Sequence, residues 1–350
     1  MRSRHRMKKG FKHIFRFESI TGGGTMQKIS DIKEIKLEEL NPEEFVKRQV
    51  KSISAMVGKG KAINALSGGV DSSVVTMIGH KAIGENLRTV FVDNGIMRVG
   101  EPEYVARVFE KLGVSVEIID AKAEFFNALK GLTDPEEKRE AITQTFYKTV
   151  FGRIVRESKA RYLLQGTNYT DVEETVAGIK RQHNILEQLG IDTRKEFGYN
   201  VIEPIIQLRK TGVRKIGKFL GLPKDLYDRQ PFPGPALAAR VIGEVTPERI
   251  DIVKKATSIV DSELKGTKAF QWLAILHEDR VTGLKGGRRD FGQQIEVRCW
   301  DSTDAVTGKP TEVPFETLVR LAERITSEVP GVVSVTYNIT KKPPSTIEAI

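Results

Sequence analysis

The sequence predicts an α/β protein, a doubly wound parallel sheet over residues 26–235 followed by a smaller α+β module over residues 236–350. Three observations carry this prediction. Apolar, β-branched strands alternate with amphipathic helices between residues 61 and 165, the signature of a parallel sheet covered by helices. A glycine- and serine-rich loop, Ser67-Gly68-Gly69-Val70-Asp71-Ser72-Ser73, joins the first of those strands to a helix. Pro231, Pro233 and Pro235 then interrupt the texture, and a different pattern follows, which puts a linker or rigid functional loop there.

Taken in order, Asn41-Pro42-Glu43-Glu44 opens a helix, with a capping side chain, a proline at the first turn and carboxylates facing the dipole. Lys61 to Leu66 is a short strand that stops at the glycine loop, and Ser72 to Ile83 is the helix beyond it. Leu87 to Asp93 reads as a buried strand. Tyr104, Val105, Val108, Phe109 and Leu112 share one helical face, and Gly113 ends that helix. Val114 to Ile119 is the next strand. Asp134-Pro135-Glu136-Glu137 starts a helix on which Ile142, Phe146, Val150 and Ile154 recur every four residues. Arg161 to Gln165 is a strand closed by Gly166-Thr167. In the second module Thr246-Pro247-Glu248 opens a helix and Ile295 to Trp300 alternates as a strand. Pro314 to Val329 is helical, and Val333, Val335, Tyr337 and Ile339 alternate again.

Composition narrows the function. With 39% hydrophobic and 29% charged residues, the chain has an ordinary globular composition. No apolar run approaches the roughly 20 residues of a membrane-spanning helix. A single cysteine, Cys299, excludes a disulfide framework, a four-cysteine zinc site and a Cys-x-x-Cys redox pair, and fits a reducing, cytoplasmic setting. The net charge of +10 is concentrated: residues 1–25 carry seven basic groups against Glu18, which leaves +4 for the rest. A body so nearly balanced gives little reason to expect a nucleic-acid partner. The basic head lacks the apolar core of a secretory signal and is expected to be disordered. An RNA-touching arm, a transit-like segment and an extension upstream of Met26 all remain open for it.

The loop at 67–73 carries the chemistry. Two glycines let backbone approach a ligand, and free N–H groups at a helix start favour an anion. Ser67, Ser72 and Ser73 add hydroxyl donors. Asp71 would repel a bare phosphate and makes sense beside a magnesium ion shared with the phosphates. A Gly-x-x-x-x-Gly-Lys-Ser/Thr loop and a Gly-x-Gly-x-x-Gly fingerprint are both absent from the sequence, which disfavours Walker-type NTPases and dinucleotide dehydrogenases.

This loop resembles the pyrophosphate-binding loop of the N-type ATP pyrophosphatases, which split ATP between the α and β phosphates and adenylate a carbonyl oxygen. Phe91-Val92-Asp93-Asn94-Gly95 is similar to the GMP synthetase segment that borders the adenosine. Gln165-Gly166-Thr167 is similar to that family's next nucleotide contact, and Ile179-Lys180 with His183-Asn184 to its lid. Arg229, Pro231-Phe232-Pro233-Gly234-Pro235, Leu237 and Arg240 resemble its Pro-Phe-Pro-Gly-Pro-Gly-Leu loop and arginine, and Val241 to Val245 continue the likeness. Lys342-Pro343-Pro344-Ser345-Thr346-Ile347-Glu348 is similar to its closing Lys-Pro-Pro-Ala-Thr-Ile-Glu. The resemblance spans residues 45–350.

It implies the adenine-nucleotide alpha-hydrolase-like fold, and GMP made from XMP, ATP and ammonia with release of AMP and pyrophosphate. Ser67 to Ser73, Val92, Asp93, Gly166 and Thr167 would bind ATP, with Asp71 as the Mg²⁺ ligand and Lys180 stabilising developing charge. Arg240, Lys342, Thr346, Ile347 and Glu348 would hold XMP. A separate glutamine amidotransferase subunit would supply ammonia, because no glutaminase segment precedes residue 45. The C-terminal module would form a homodimer. NAD synthetase and an RNA-binding, thiolase-like tRNA-modifying protein are the alternatives. The sequence departs from the family at Ala236, where the family loop has glycine, at Arg181 to Gly190 in the lid, and at Ala349-Ile350.

Overall fold

The computed structural model describes residues 19–21, 25–27, 32–176, 199–303 and 306–349. At the end of the head expected to be disordered, β1 (Ser19–Thr21) pairs antiparallel with β2 (Thr25–Gln27), which runs past it. The helix α1 (Pro42–Val57) begins as expected, Asn41 accepting from the N–H groups of Glu43 and Glu44. Then follow β3 (Ala62–Ala65), α2 (Val70–Ile83), β4 (Leu87–Asp93), α3 (Glu101–Lys111), β5 (Val116–Asp120), α4 (Lys122–Leu129) and α5 (Pro135–Gln144). A π-helical stretch, Thr145–Phe151, runs into α6 (Gly152–Ser158), followed by β6 (Tyr162–Leu164), α7 (Tyr169–Val176), β7 (Asn200–Ile202), α8 (Lys210–Phe219) and α9 (Lys224–Tyr227).

Strands β3 to β7 form one parallel sheet in the order β5-β4-β3-β6-β7. Side chains alternate across it. Ile63, Val90, Val92 and Leu163 pack with Phe125, Leu129, Val150 and Ile154 on one face. Ala62, Leu87, Phe91 and Leu164 pack with Ile53, Val74, Ile78 and Ile216 on the other. The strand order reverses direction between β3 and β6, so the crevice beyond their carboxyl ends is the place such sheets offer a ligand. The π stretch answers the four-residue spacing of Ile142, Phe146, Val150 and Ile154. That spacing exceeds the 3.6 residues of an α turn, and a wider turn keeps the stripe on one face.

Beyond a 3-10 turn at Ala236–Arg240 come α10 (Pro247–Leu264) and a long antiparallel hairpin of β8 (Gln271–Lys285) and β9 (Arg288–Asp301). β10 (Lys309–Pro310) and β11 (Val332–Tyr337) flank β9, and α11 (Phe315–Glu328) lies between them in sequence. The stretch Ile295 to Trp300 does not alternate in burial: all six residues are buried. Ile295, Val297 and Cys299 face the helices, while Trp300 packs with Leu273, Ile275 and Ile347 of the C-terminal tail. A tail laid over the second face removes the solvent that alternation presupposes. Burial also pushes the Cys299 thiol pKa up, as expected of a structural cysteine. Among the described residues no helix is long and apolar enough to cross a membrane.

One buried cation marks the seam between the two parts. Lys138 is 1% exposed and donates to the Val241 carbonyl at 3.0 Å. Burial first, and Arg249 second, lower its pKa from 10.5 to about 8. The folded value lies below the unfolded one, so the unfolded chain binds more protons across that window and stability rises with pH from about 8 to 10.5. Lys138→Met is therefore expected to be more stable than the parent near pH 7, by about 1–2 kcal/mol after the lost hydrogen bond is counted. Urea titrations at several pH values should show that difference shrinking as pH climbs through the window.

Candidate active site

The loop after β3 turns into α2 with Gly68 at φ +76°, a conformation that suits glycine. Its serines hold one another: the Ser67 N–H donates to Ser72 Oγ at 3.1 Å, the two hydroxyls lie 3.0 Å apart, and Ser72 Oγ donates to the Gly69 carbonyl at 3.1 Å. Among the described residues no side chain caps α2, whose N-cap is Gly69. Its first N–H groups are thus left for an anion. Gly166, at the end of β6, lies against this turn; a Cβ there would sit 3.2 Å from the Asp71 carbonyl carbon and the Ser72 nitrogen. The switch point therefore brings together the two glycine segments singled out in the sequence.

These residues line a cavity of about 640 Å³. Ser67, Gly68, Gly69, Val70, Asp71, Ser72, Val92 and Gly166 all border it. Among the described residues, four cations on its wall could not be recognised as a group from the sequence: Arg98, Lys210, Arg214 and Arg229. Lys210, at the start of α8, ion-pairs with Asp71 Oδ2. The other carboxylate oxygen, Oδ1, is buried and has no hydrogen-bond partner among the described residues. An anionic oxygen left orphaned beside a phosphate cradle suits a hard cation that shares its remaining ligands with phosphate and water. Among the described residues no group of three or more His, Cys, Asp or Glu could hold a metal without such help.

Other expected residues stand apart from the cavity wall. Ser73 is fully buried, and its Oγ has no partner among the described residues. Asp93 turns back to accept from the Gly95 N–H at 3.0 Å and pairs with Lys122 at 2.7 Å, a hydrogen bond that raises the Lys122 pKa. Thr167 is buried and donates to Glu203. Lys180 and the lid departures at Arg181 to Gly190 lie outside the described residues.

Of the residues expected for the second substrate, Arg240 and its partner Glu348 meet behind Phe232, itself on the cavity wall, while Lys342, Thr346 and Ile347 lie along the C-terminal segment. Arg240 is 2% exposed and forms a two-pronged pair with Glu348, both contacts at 3.2 Å. Gln271 donates to the same carboxylate at 2.7 Å and to the Pro231 carbonyl at 3.3 Å. The Phe232 ring lies under Arg98 at 3.9 Å and Arg240 at 5.3 Å, within cation–π range. Thr346 Oγ1 donates to the Glu348 carbonyl at 2.6 Å, and Ile347 is buried against Trp300. Lys342 exchanges backbone hydrogen bonds with Gly308 at 2.9 and 3.1 Å. Burial first, then Arg229, lower the Arg98 pKa to about 10.

Ala236 has φ +52°, so the position occupied by glycine in the family loop does require the left-handed region. Alanine there costs about 1 kcal/mol, and its buried methyl returns about 0.8 kcal/mol. Ala236→Gly is accordingly expected to change stability by less than about 1 kcal/mol, whereas the β-branched Ala236→Val should cost more than about 2 kcal/mol. Calorimetric melting of the two variants checks both.

A phosphate cradle at the switch point of a parallel sheet, ringed by cations and backed by a second polar cluster, defines a nucleotide-binding α/β protein. A family model described as NAD synthase matches residues 40–236, and one described as GMP synthase C terminal domain matches residues 258–349. A subunit of the glutamine-hydrolyzing GMP synthase of Archaeoglobus fulgidus is 48% identical over 309 residues, 88% of this chain and 99% of that relative. The subunits of the same name from Pyrococcus abyssi and Methanopyrus kandleri are 47% and 44% identical, again over 88% of this chain and 99% of theirs. The chain belongs to the family of these glutamine-hydrolyzing GMP synthase subunits.

Proposed function

We propose that this protein is an ATP-dependent ligase that makes GMP from XMP, ATP and ammonia, releasing AMP and pyrophosphate. The observation that carries this reading is the uncapped start of α2, with Asp71 and Lys210 at its mouth and the Phe232–Arg240–Glu348 cluster next to it. The N–H groups of the loop would hold the β and γ phosphates, and Lys210 and Arg214 would balance their charge. Asp71 would hold Mg²⁺, whose positive charge would be available to the pyrophosphate leaving group. Attack of the purine 2-oxo oxygen on the α-phosphate turns a poor oxide leaving group into AMP, and ammonia then displaces AMP at C2. Lys180 is the proposed source of positive charge at the reacting phosphate. Arg240, Lys342, Thr346, Ile347 and Glu348 would hold XMP, with Gln271 steadying the Glu348 carboxylate.

Ammonia would come from a separate glutamine amidotransferase subunit, as the name of the relatives suggests. A homodimer built on the C-terminal module, and a cytoplasmic location, belong to the same proposal. The test is a product assay on the full chain with ATP, Mg²⁺, XMP and an ammonium salt at mildly alkaline pH. GMP and AMP are expected to rise together, and only when XMP is present. AMP formed without GMP would shift the acceptor to deamidonicotinate dinucleotide or tRNA, and no AMP would leave a binding site without turnover.

A further inference from the structure

Glu101 has no role in the reading above, yet among the described residues it is the most enclosed carboxylate beside the cavity. It occupies the first position of α3, and its side chain is 1% exposed. Both of its oxygens engage Arg229, Oε2 accepting from Nη2 at 2.9 Å. Arg98 Nη1 lies 3.5 Å from the same carboxylate. Arg229 reaches onward to the Gly68 carbonyl at 3.4 Å. Any side chain at position 68 would collide with this arrangement, because a Cβ there would stand 2.9 Å from Glu101 Oε1. On the other side Arg98 lies over Phe232, which also meets Arg240, the partner of Glu348. One buried carboxylate thus holds two guanidinium groups that would otherwise repel. One of them grips the phosphate loop, and the other covers the aromatic ring of the 231–235 loop.

We propose that Glu101 is a positioning residue that couples the two nucleotide sites. MgATP requires the Gly68 turn in place, and a purine monophosphate beside Phe232 requires Arg98 in place. Both are fixed when Glu101 neutralises the two arginines together. A ligand that orders either arginine lowers the cost of ordering the other, so each nucleotide tightens the binding of its partner. This inference rests on the nucleotide reading of the cavity.

The test measures binding by calorimetry on the full chain, with Mg²⁺ and α,β-methylene ATP, which cannot be cut at the reacting bond. Saturating XMP is expected to tighten the analogue by about fivefold or more in the parent. In Glu101→Gln that ratio should fall to within about twofold of one. Arg229→Lys keeps the charge and loses the two-pronged grip, so it should lose the ratio too, and it decides the matter if Glu101→Gln does not fold. Purely structural damage would weaken binding equally with and without XMP and leave the ratio intact. A parental ratio retained in both variants, or a parent in which XMP leaves the analogue's affinity unchanged, overturns the coupling. A parent that binds no analogue at all overturns the nucleotide reading itself, and the coupling with it.

Discussion

Asp71→Asn is expected to lower GMP-forming turnover by about 10²–10³-fold while leaving the melting temperature within a few degrees of the parent. The amide is isosteric with the carboxylate, so the turn into α2 keeps its shape; the change removes a charge. In the parent that charge faces Lys210 through Oδ2 and leaves Oδ1 buried without a partner among the described residues. An amide can neither balance the ammonium nor replace an anionic ligand to Mg²⁺. Lys210→Met offers an independent check, since it removes the other half of the pair. If the two groups work as a unit on the phosphates, the double variant should lose little more than the worse single variant. Single-turnover measurement of AMP and GMP at saturating XMP tests the claim, and turnover within tenfold of the parent in Asp71→Asn would sink it.

The reason Asp71 can be picked out from sequence and Lys210 cannot is one of distance along the chain. The loop is legible because all its parts are local: a strand, two glycines and a helix start fall within a dozen residues, and a parallel sheet puts their junction at a ligand crevice. Strand β4, Leu87–Asp93, is legible for a similar reason, being β-branched, apolar and closed by Asn94-Gly95. Lys210 meets Asp71, and Arg229 meets Glu101, only through crossover connections that span more than a hundred residues. Lys210, at the start of α8, resembles by itself a solvated charge, and Arg229, in the loop after α9, is singled out only by the resemblance of that loop. The run at Ile295 to Trp300 reads as alternating, and is instead buried throughout, because its second cover, Ile347 with Ala349, comes from the far end of the chain. Local patterns therefore suffice for the sheet and the phosphate cradle. Of the cations around that cradle, Arg98, Lys210 and Arg214 follow only from the topology.

Arg298→Met is expected to cost about 3–5 kcal/mol of stability and to raise the KM for XMP well above any change in the KM for ATP. Arg298 is buried in β9 and bonds Glu296 through Nε at 2.6 Å. Its Nη1 also donates to the Thr346 carbonyl at 2.7 Å and reaches those of Ile347 and Glu348 at 3.4 and 3.3 Å. One guanidinium thus straps down the segment that carries Thr346, Ile347 and Glu348. Methionine would fill much of the volume but leave three carbonyls without that donor, and Glu296 with only His277 and Asn338. The tail would then be held mainly by the Arg240–Glu348 pair and by the apolar contact of Ile347 with Trp300. Loosening it should disorder the proposed XMP contacts and leave the Gly68 loop, which belongs to the other sheet, in place. Chemical denaturation and paired KM measurements separate the two effects. Equal rises in both KM values would mean that the strap supports the whole molecule and not the second substrate's pocket.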